Sequence, residues 1–263
     1  MNLLLDLGNS RLKWACAENS QLQLGQTLPH SEITSQTLCA LWQDLRPEKI
    51  GISCVGKAEL LNVITTVTRE LWRDVPIHFA TTQTQAFGVT NGYLQPEKLG
   101  VDRWLALIAV RQKTNAPVCV VDCGTAITVD VLDTDGKHQG GLICAGLTLM
   151  KTALAFNTAD LPLANSPHNV GLAIETETAI YNGTLFAACG LIERVMSELP
   201  ANTALFLTGG DAPIIAAHTR KPFTLETDLV LQGLAIFLNV SIHIRPHPSN
   251  DKAIDRLRSM KLL

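Results

Sequence analysis

Asp6 and Asp122 stand 116 positions apart, and the chain around each reads nearly the same. The first stretch is Leu3-Leu4-Leu5-Asp6-Leu7-Gly8-Asn9-Ser10; the second is Cys119-Val120-Val121-Asp122-Cys123-Gly124-Thr125-Ala126. Each is an apolar run that ends on Asp, followed after one intervening residue by Gly and then by small residues. A glycine there lets the backbone approach a ligand closely. A carboxylate beside it, with hydroxyls and amides at a strand-to-strand turn, makes a cradle for phosphate and a metal ion. Asn9, Ser10, Thr125 and Thr128 can donate hydrogen bonds to phosphate oxygens, and Lys13 adds a point positive charge. Two carboxylates facing one cleft would hold Mg²⁺ through water, since that ion takes few protein carboxylates and completes its shell with phosphate oxygens and water. A single Asp-x-Gly-Asn is also the signature of a plain tight turn, with the Asp bonding its own backbone. Two copies at matched places favour function.

A third group runs from Tyr93 to Trp104: Tyr-Leu-Gln-Pro-Glu-Lys-Leu-Gly-Val-Asp-Arg-Trp, with an apolar helix following over 105–110. Asp102 then falls in a first helical turn, where an acid complements the helix dipole without any catalysis. Turned into a cleft, the same carboxylate would accept the proton of a substrate hydroxyl. Phosphoryl transfer asks little of such a base, because its transition state is loose and positioning dominates. Gly140-Gly141-Leu142-Ile143-Cys144-Ala145-Gly146 is expected to close a strand and enter a helix. Thr208-Gly209-Gly210-Asp211 is expected to follow a strand and precede a helix, and Thr176 to open another. Gly51-Ile52-Ser53-Cys54-Val55-Gly56-Lys57-Ala58 nearly matches a P-loop, but Ala58 lacks the hydroxyl that binds Mg²⁺ and the first half reads as a strand. The histidines at 30, 78, 138, 168, 218, 243 and 247 form no metal pair, and no Gly-x-Ser-x-Gly elbow occurs.

The elements that must position these groups repeat as well. Slid by the same offset, residues 12–16 lie against 128–132 and Gly25 falls on Gly141, so the chain reads as one structural unit used twice. Strands are expected at 2–7, 11–17 and 21–28, a helix at 31–45, a strand at 49–55, a helix at 59–72 and a strand at 75–80. The order restarts with strands at 118–122, 126–133 and 138–144, then helices, then a strand at 204–207. Asp228 is expected to cap a helix running to about Ile242. Two α/β halves with a cleft between them follow, as domains 1–115 and 116–244. Residues 245–263 form a linker-like stretch and a short basic segment of unknown role.

Composition narrows the classes. The chain has 263 residues, 46% hydrophobic and 17% charged, so it can bury a substantial core. The net charge of -3, without a basic block outside the C-terminal segment, argues against nucleic acid as a partner. Seven cysteines, an odd number with no C-x-x-C pair, read as free thiols in a reducing compartment. The N-terminus has no basic region before its short apolar run, and the run at 229–244 is broken by Gln232, Gly233 and Asn239. Neither reads as a signal peptide or a membrane span, which points to the cytoplasm.

Taken in order, Asp6-Leu7-Gly8-Asn9-Ser10 with Lys13, Tyr93 to Pro96, Leu99-Gly100-Val101-Asp102-Arg103, Asp122 to Thr128, Gly140-Gly141 and Thr208-Gly209-Gly210 resemble the type III pantothenate kinases. The residues after the first Asp-x-Gly are most similar to the branch that includes the Bvg accessory factor. The resemblance implies two ribonuclease-H-like domains of the acetate and sugar kinase, Hsp70 and actin superfamily, with a cleft between them. It implies transfer of the γ-phosphoryl of ATP to the primary hydroxyl of pantothenate, the first step towards coenzyme A. Asp102 matches the catalytic base. Asp6, Gly8, Asn9, Ser10, Lys13, Thr125 and Thr128 match positions around the phosphates and Mg²⁺, with Asp6 acting on the metal through water. Asp122 matches the acid near a monovalent cation, potassium or ammonium. Tyr93, Gly100 and Arg103 match the pantothenate pocket, and Thr176 matches a threonine that completes it from the other subunit of a homodimer. One departure is visible: the residue before Gly146 is usually Pro in the family and here is Ala145, which loosens that loop. Two other readings are a regulatory factor that keeps the nucleotide fold without catalysis, and a ribonuclease-H-like nuclease; the acidic net charge speaks against the second.

Overall fold

In a computed structural model, which describes residues 1–164 and 169–240, the chain folds as two units built on one plan. The 245–263 segment and His168, His243 and His247 lie outside the described residues, whereas the helix expected to run to about Ile242 stops at Phe237, just before Asn239 takes φ +56°.

The first unit opens with β1 (Asn2–Leu7), β2 (Arg11–Glu18) and β3 (Gln21–Leu24), an antiparallel meander, with β4 (Leu28–Pro29) pairing on β2. The helix expected at 31–45 is shorter. Residues 30–32 make a 3₁₀ turn, and α1 (Ser35–Trp42) begins only where Thr34 Oγ1 accepts the Thr37 N–H at 3.2 Å. Next come β5 (Lys49–Cys54), α2 (Ala58–Leu71), β6 (Ile77–Phe79), the two-residue pair β7 (Gln85–Ala86) and β8 (Val89–Thr90), and α3 (Val101–Arg111). The main sheet has the order β3-β2-β1-β5-β6, with β1, β5 and β6 parallel. β1 is buried on both faces, which is why it reads as a leucine run rather than an alternation. Leu3, Leu5 and Leu7 pack with Ile50, Ile52, Ile64 and Trp42 on one face.

The second unit repeats this: β9 (Val118–Cys123), β10 (Ala126–Leu132) and β11 (His138–Ala145), then α4 (Leu147–Asn157), α5 (Thr176–Glu198), β12 (Ala204–Thr208), α6 (Ala212–His218) and β13 (Thr224–Leu225). Its sheet order, β11-β10-β9-β12-β13, is that of the first sheet. Cys119, Val121, Ile127, Val129, Leu205 and Leu207 form its core with α5 and α6. The cysteines are free, and burial pushes the Cys119 thiol up to about 12. Residues 140–146 close β11 and enter the helix after Gly146, as expected.

The repeat is offset by one residue after its turn. Leu7 pairs with Leu12 across the first hairpin, but Cys123 pairs with Ile127 across the second, whose turn is one residue tighter. The structural counterpart of Lys13 is therefore Thr128, not Val129. Residues 12–16 correspond to 127–131 rather than to 128–132.

After β13 the chain returns to the first unit. α7 (Leu229–Phe237) packs on α3, β1 and β5. Asp228 occupies its cap position without its side chain capping the helix. A Cβ on Gly233 would stand 2.0 Å from the Leu105 carbonyl oxygen, so the two helix backbones meet at this glycine. The tip of the β10–β11 hairpin, residues 135–138, also belongs to the first unit.

Candidate active site

The first acidic turn is shaped by three strands. β2 puts Lys13 opposite Asp6, and β5 puts Ser53 beside it on the other edge. Asp6 is 8% exposed, and Ser53 Oγ–H donates to its Oδ1 at 3.0 Å, which fixes the carboxylate in one orientation. Gly8 N–H donates to the Arg11 carbonyl at 3.0 Å, and His30 Nε2–H donates to the Gly8 carbonyl at 3.0 Å. The N–H groups of Val55 and Gly56 both donate to the Leu7 carbonyl at 3.0 Å. The tip residues Asn9 and Ser10 are exposed. A buried, oriented carboxylate thus lies under a turn whose amide and hydroxyl face outward.

The second acidic turn has the same surroundings by register: Thr128 opposite Asp122 on β10 and Thr208 beside it on β12. Here the approach is made by backbone. A Cβ on Gly209 would stand 2.4 Å from Asp122 Oδ1 and 2.6 Å from the Cys123 carbonyl oxygen, and Gly209 holds φ +94°, a conformation that favours glycine. A Cβ on Gly146 would stand 2.2 Å from the Gly124 carbonyl oxygen. Gly146 N–H donates to the Thr125 carbonyl at 3.0 Å and Asp211 N–H to the Cys123 carbonyl at 2.9 Å. The β9–β10 turn, the start of α4 and the β12–α6 turn therefore meet main chain to main chain, with Asp122 Oδ1 and the Cys123 carbonyl oxygen both against Gly209. Burial first, then the Asp122 charge, keeps the neighbouring Cys123 thiol protonated far above its usual range. Thr125 is exposed and Thr128 half-buried. Lys151 Nζ lies 5.2 Å from the centre of the Tyr181 ring, whose hydroxyl is pushed up by burial and by Asp211.

The third group belongs to the first unit. Gly100 precedes α3, and Asp102 lies in its first turn. The Arg103 N–H donates to Asp102 Oδ1 at 2.8 Å. A Cβ on Gly100 would stand 2.6 Å from that same oxygen, so the carboxylate occupies the space that a side chain at 100 would take. Arg103, 7% exposed, sends Nη1–H to Tyr93 Oη at 2.7 Å. Tyr93 is held by its own loop: its N–H donates to Asn91 Oδ1 at 2.9 Å, while Asn91 Nδ2 donates to the carbonyls of Gln83 and Pro96 at 3.3 and 3.0 Å.

Asp6, Gly8, Asn9, Ser10 and Lys13 thus form one group, Tyr93, Gly100, Asp102 and Arg103 a second, and Asp122, Thr125 and Thr128 a third. Thr176 is the exposed first residue of α5. Sequence reasoning passed over Ser53, which lay inside the P-loop decoy, and His30 and Asn91, whose roles come from strand register or loop closure. The only linear sign of Ser53 is a hydroxyl interrupting the apolar run of β5.

Turns of this kind on two sheets that share one five-strand order define a class. The chain has the two-domain α/β fold of the actin-like ATPases and sugar kinases. It is similar to a conserved Baf family protein from Campylobacter jejuni, with a TM-score of 0.58 at 20% identity, covering 90% of this chain and 97% of that one. It is also similar to the ethanolamine utilization protein EutJ from Carboxydothermus hydrogenoformans, with a TM-score of 0.52 at 12% identity, covering 90% and 89%. The sequence profile of the type III pantothenate kinases matches residues 2–198. A type III pantothenate kinase from Nitrosococcus oceani is 36% identical over 247 residues, covering 89% of this chain and 92% of that protein. One from Dichelobacter nodosus is 35% identical over 245 residues, covering 91% and 98%. The chain belongs to the type III pantothenate kinase family.

Proposed function

We propose that the protein transfers the γ-phosphoryl group of ATP to the primary hydroxyl of pantothenate, giving 4'-phosphopantothenate for coenzyme A synthesis. Beside the family membership, the observation that carries this reading is the Asp102–Arg103–Tyr93 group. A carboxylate and a buried, oriented guanidinium on adjacent residues suit an acceptor that is both an alcohol and an anion. Asp102 takes the hydroxyl proton as the acceptor oxygen bonds to the γ-phosphorus and the bond to ADP breaks. Arg103, Tyr93 and Gly100 position the acceptor. Asn9, Ser10 and Lys13 of the first turn, and Thr125 and Thr128 of the second, are groups suited to holding phosphate oxygens.

The donor set fits Mg²⁺. Among the described residues no cluster of three or more His, Cys, Asp or Glu forms a closed protein cage. What the first turn offers is a single buried carboxylate, Asp6, acting through water and leaving coordination to phosphate oxygens, as this ion prefers. When bound with ATP it would neutralise charge on the phosphates. Asp122, with the Cys123 carbonyl oxygen on the same side of Gly209, offers the oxygen donors that potassium or ammonium would take. A homodimer is part of the same reading, with Thr176 completing the partner's acceptor pocket. It is supported by apolar side chains exposed on the second unit: Ile143 on edge strand β11, Phe156 on α4 and Phe186 on α5. A cytoplasmic location accords with the free thiols, and among the described residues no helix is long and apolar enough to cross a membrane.

Incubating the purified protein with ATP, Mg²⁺, potassium and pantothenate tests the reading. Phosphopantothenate should form, and Asp102→Asn, which keeps the shape but removes the base, should lower kcat at least about a hundredfold. No product above that of the variant would reject it.

A further inference from the structure

Tyr93 has a second set of supports that the resemblance does not supply. Its loop gives it little apolar anchorage, since the next residue, Leu94, is fully exposed. Instead its ring lies against His138, with centroids 5.8 Å apart and planes 15° from parallel. His138 is 1% exposed. Arg103 approaches the same phenol, its Cζ 5.5 Å from the ring centre and its Nη1–H bonded to Oη. Imidazole, phenol and guanidinium thus form one continuous series that ends on Arg103, the residue after Asp102.

The main chain beneath the series is equally close. A Cβ on Gly92 would stand 1.9 Å from the His138 carbonyl oxygen, so the loop before Tyr93 rests directly on the His138 peptide. Thr90 N–H donates to the Gly136 carbonyl at 2.9 Å, and Thr90 pairs with Lys137 in a parallel bridge. Gly136, at φ +79°, leaves no room for a Cβ, which would stand 2.1 Å from the Gly88 carbonyl oxygen. The hairpin tip is therefore the floor of loop 88–93, and His138 is the side chain that rises from it to meet Tyr93.

We infer that His138 is a positioning residue for the acceptor pocket: its flat ring fixes the plane of Tyr93, and Tyr93 fixes the guanidinium of Arg103. This rests on the reading of Tyr93, Gly100 and Arg103 as the pantothenate pocket. The property required is a flat ring of the right thickness, so phenylalanine can replace histidine and an aliphatic side chain cannot.

The test is steady-state kinetics on His138→Ala, His138→Phe and wild type, varying pantothenate and ATP separately, with thermal melts alongside. His138→Ala should raise KM for pantothenate about tenfold and leave KM for ATP and kcat within about twofold, and His138→Phe should restore the wild-type value. An unchanged KM for pantothenate, equal rises in both KM values, or a phenylalanine variant as impaired as the alanine one would overturn the inference. Should His138→Ala fail to fold, His138→Leu replaces it, and equal pantothenate KM values for the leucine and phenylalanine variants would overturn it too. A wild-type protein that turns over pantothenate while the variants behave alike sinks only this inference. A wild-type protein that phosphorylates no pantothenate sinks the functional reading and this inference with it.

Discussion

A glycine beside a carboxylate proposed as the base can matter for the space it leaves rather than for its backbone freedom. Gly100 has φ -55° and ψ 135°, which any residue adopts. A methyl group there would stand 2.6 Å from Asp102 Oδ1 and 3.7 Å from Arg103 Cδ. Of the two, the carboxylate is the part that can move, because it ends a short side chain. Gly100→Ala should therefore fold almost as well as wild type, with a melting temperature within about 3 °C. It should lose activity, because a base displaced by about an ångström forfeits between ten- and a hundredfold in rate. Measuring kcat and the thermal melt on one preparation separates the effects: full kcat in the variant would mean that the Asp102 carboxylate is not the proton acceptor. Gly92 and Gly209 are different cases. Their missing Cβ atoms would meet backbone, so alanine there disturbs the fold and gives no clean report on chemistry.

At the level of elements, the junction of α3 and α7 holds Asp102 and Arg103, the proposed base and acceptor-binding residue, since α3 carries both at its start. Gly233→Ala would put a methyl group 2.0 Å from the Leu105 oxygen and 2.6 Å from its carbonyl carbon, atoms that cannot rotate away. The helices must part, at a cost of about 2–3 kcal/mol, which should lower the melting temperature by roughly 5–10 °C. A melt unchanged from wild type would show that the helices can slide past one another freely. The existence of α7 could be read from its apolar run, but its partner could not. The helix is buried nearly all round, so no stripe of side chains points to one neighbour, and its chain neighbours lie in the second unit. The acidic turns were legible because each packs its chemistry into consecutive residues. The one-residue slip between them was not, because the two copies match up to the glycine and diverge only in how tightly the turn closes. Ser53 and His138 were invisible for a related reason: each acts on a residue brought near by strand register or hairpin closure, and a lone Ser or His in sequence carries no such address.

For the molecule as a whole, the exposed apolar side chains of the second unit call for a cover. Strand β11 ends its sheet, its residues 141–144 are exposed, and Leu142 and Ile143 are among them. An apolar edge of this kind invites pairing with another chain. Phe156 on α4, 82% exposed, and Phe186 on α5, 48% exposed, extend the apolar surface onto the helices. A second copy of the chain is the economical cover, because a twofold interface uses one patch twice. The proposed role of Thr176 makes this testable through activity and not only through mass. If Thr176 serves the partner's pocket, Asp102→Asn and Thr176→Ala are defects in different subunits of one site. Mixing the two inactive or weakened proteins under conditions that exchange subunits should produce mixed dimers with one complete site, since one subunit keeps Asp102 and the other keeps Thr176. Random exchange makes half the dimers mixed, so about a quarter of the wild-type kcat should return, with the wild-type KM for pantothenate. If Thr176 serves its own chain, every pocket in the mixture keeps one defect and nothing is regained. Sedimentation of the same mixture separates the remaining case. A single monomeric boundary would remove the dimer and the partner role together, while a dimer without regained activity would leave the interface standing and return Thr176 to its own subunit.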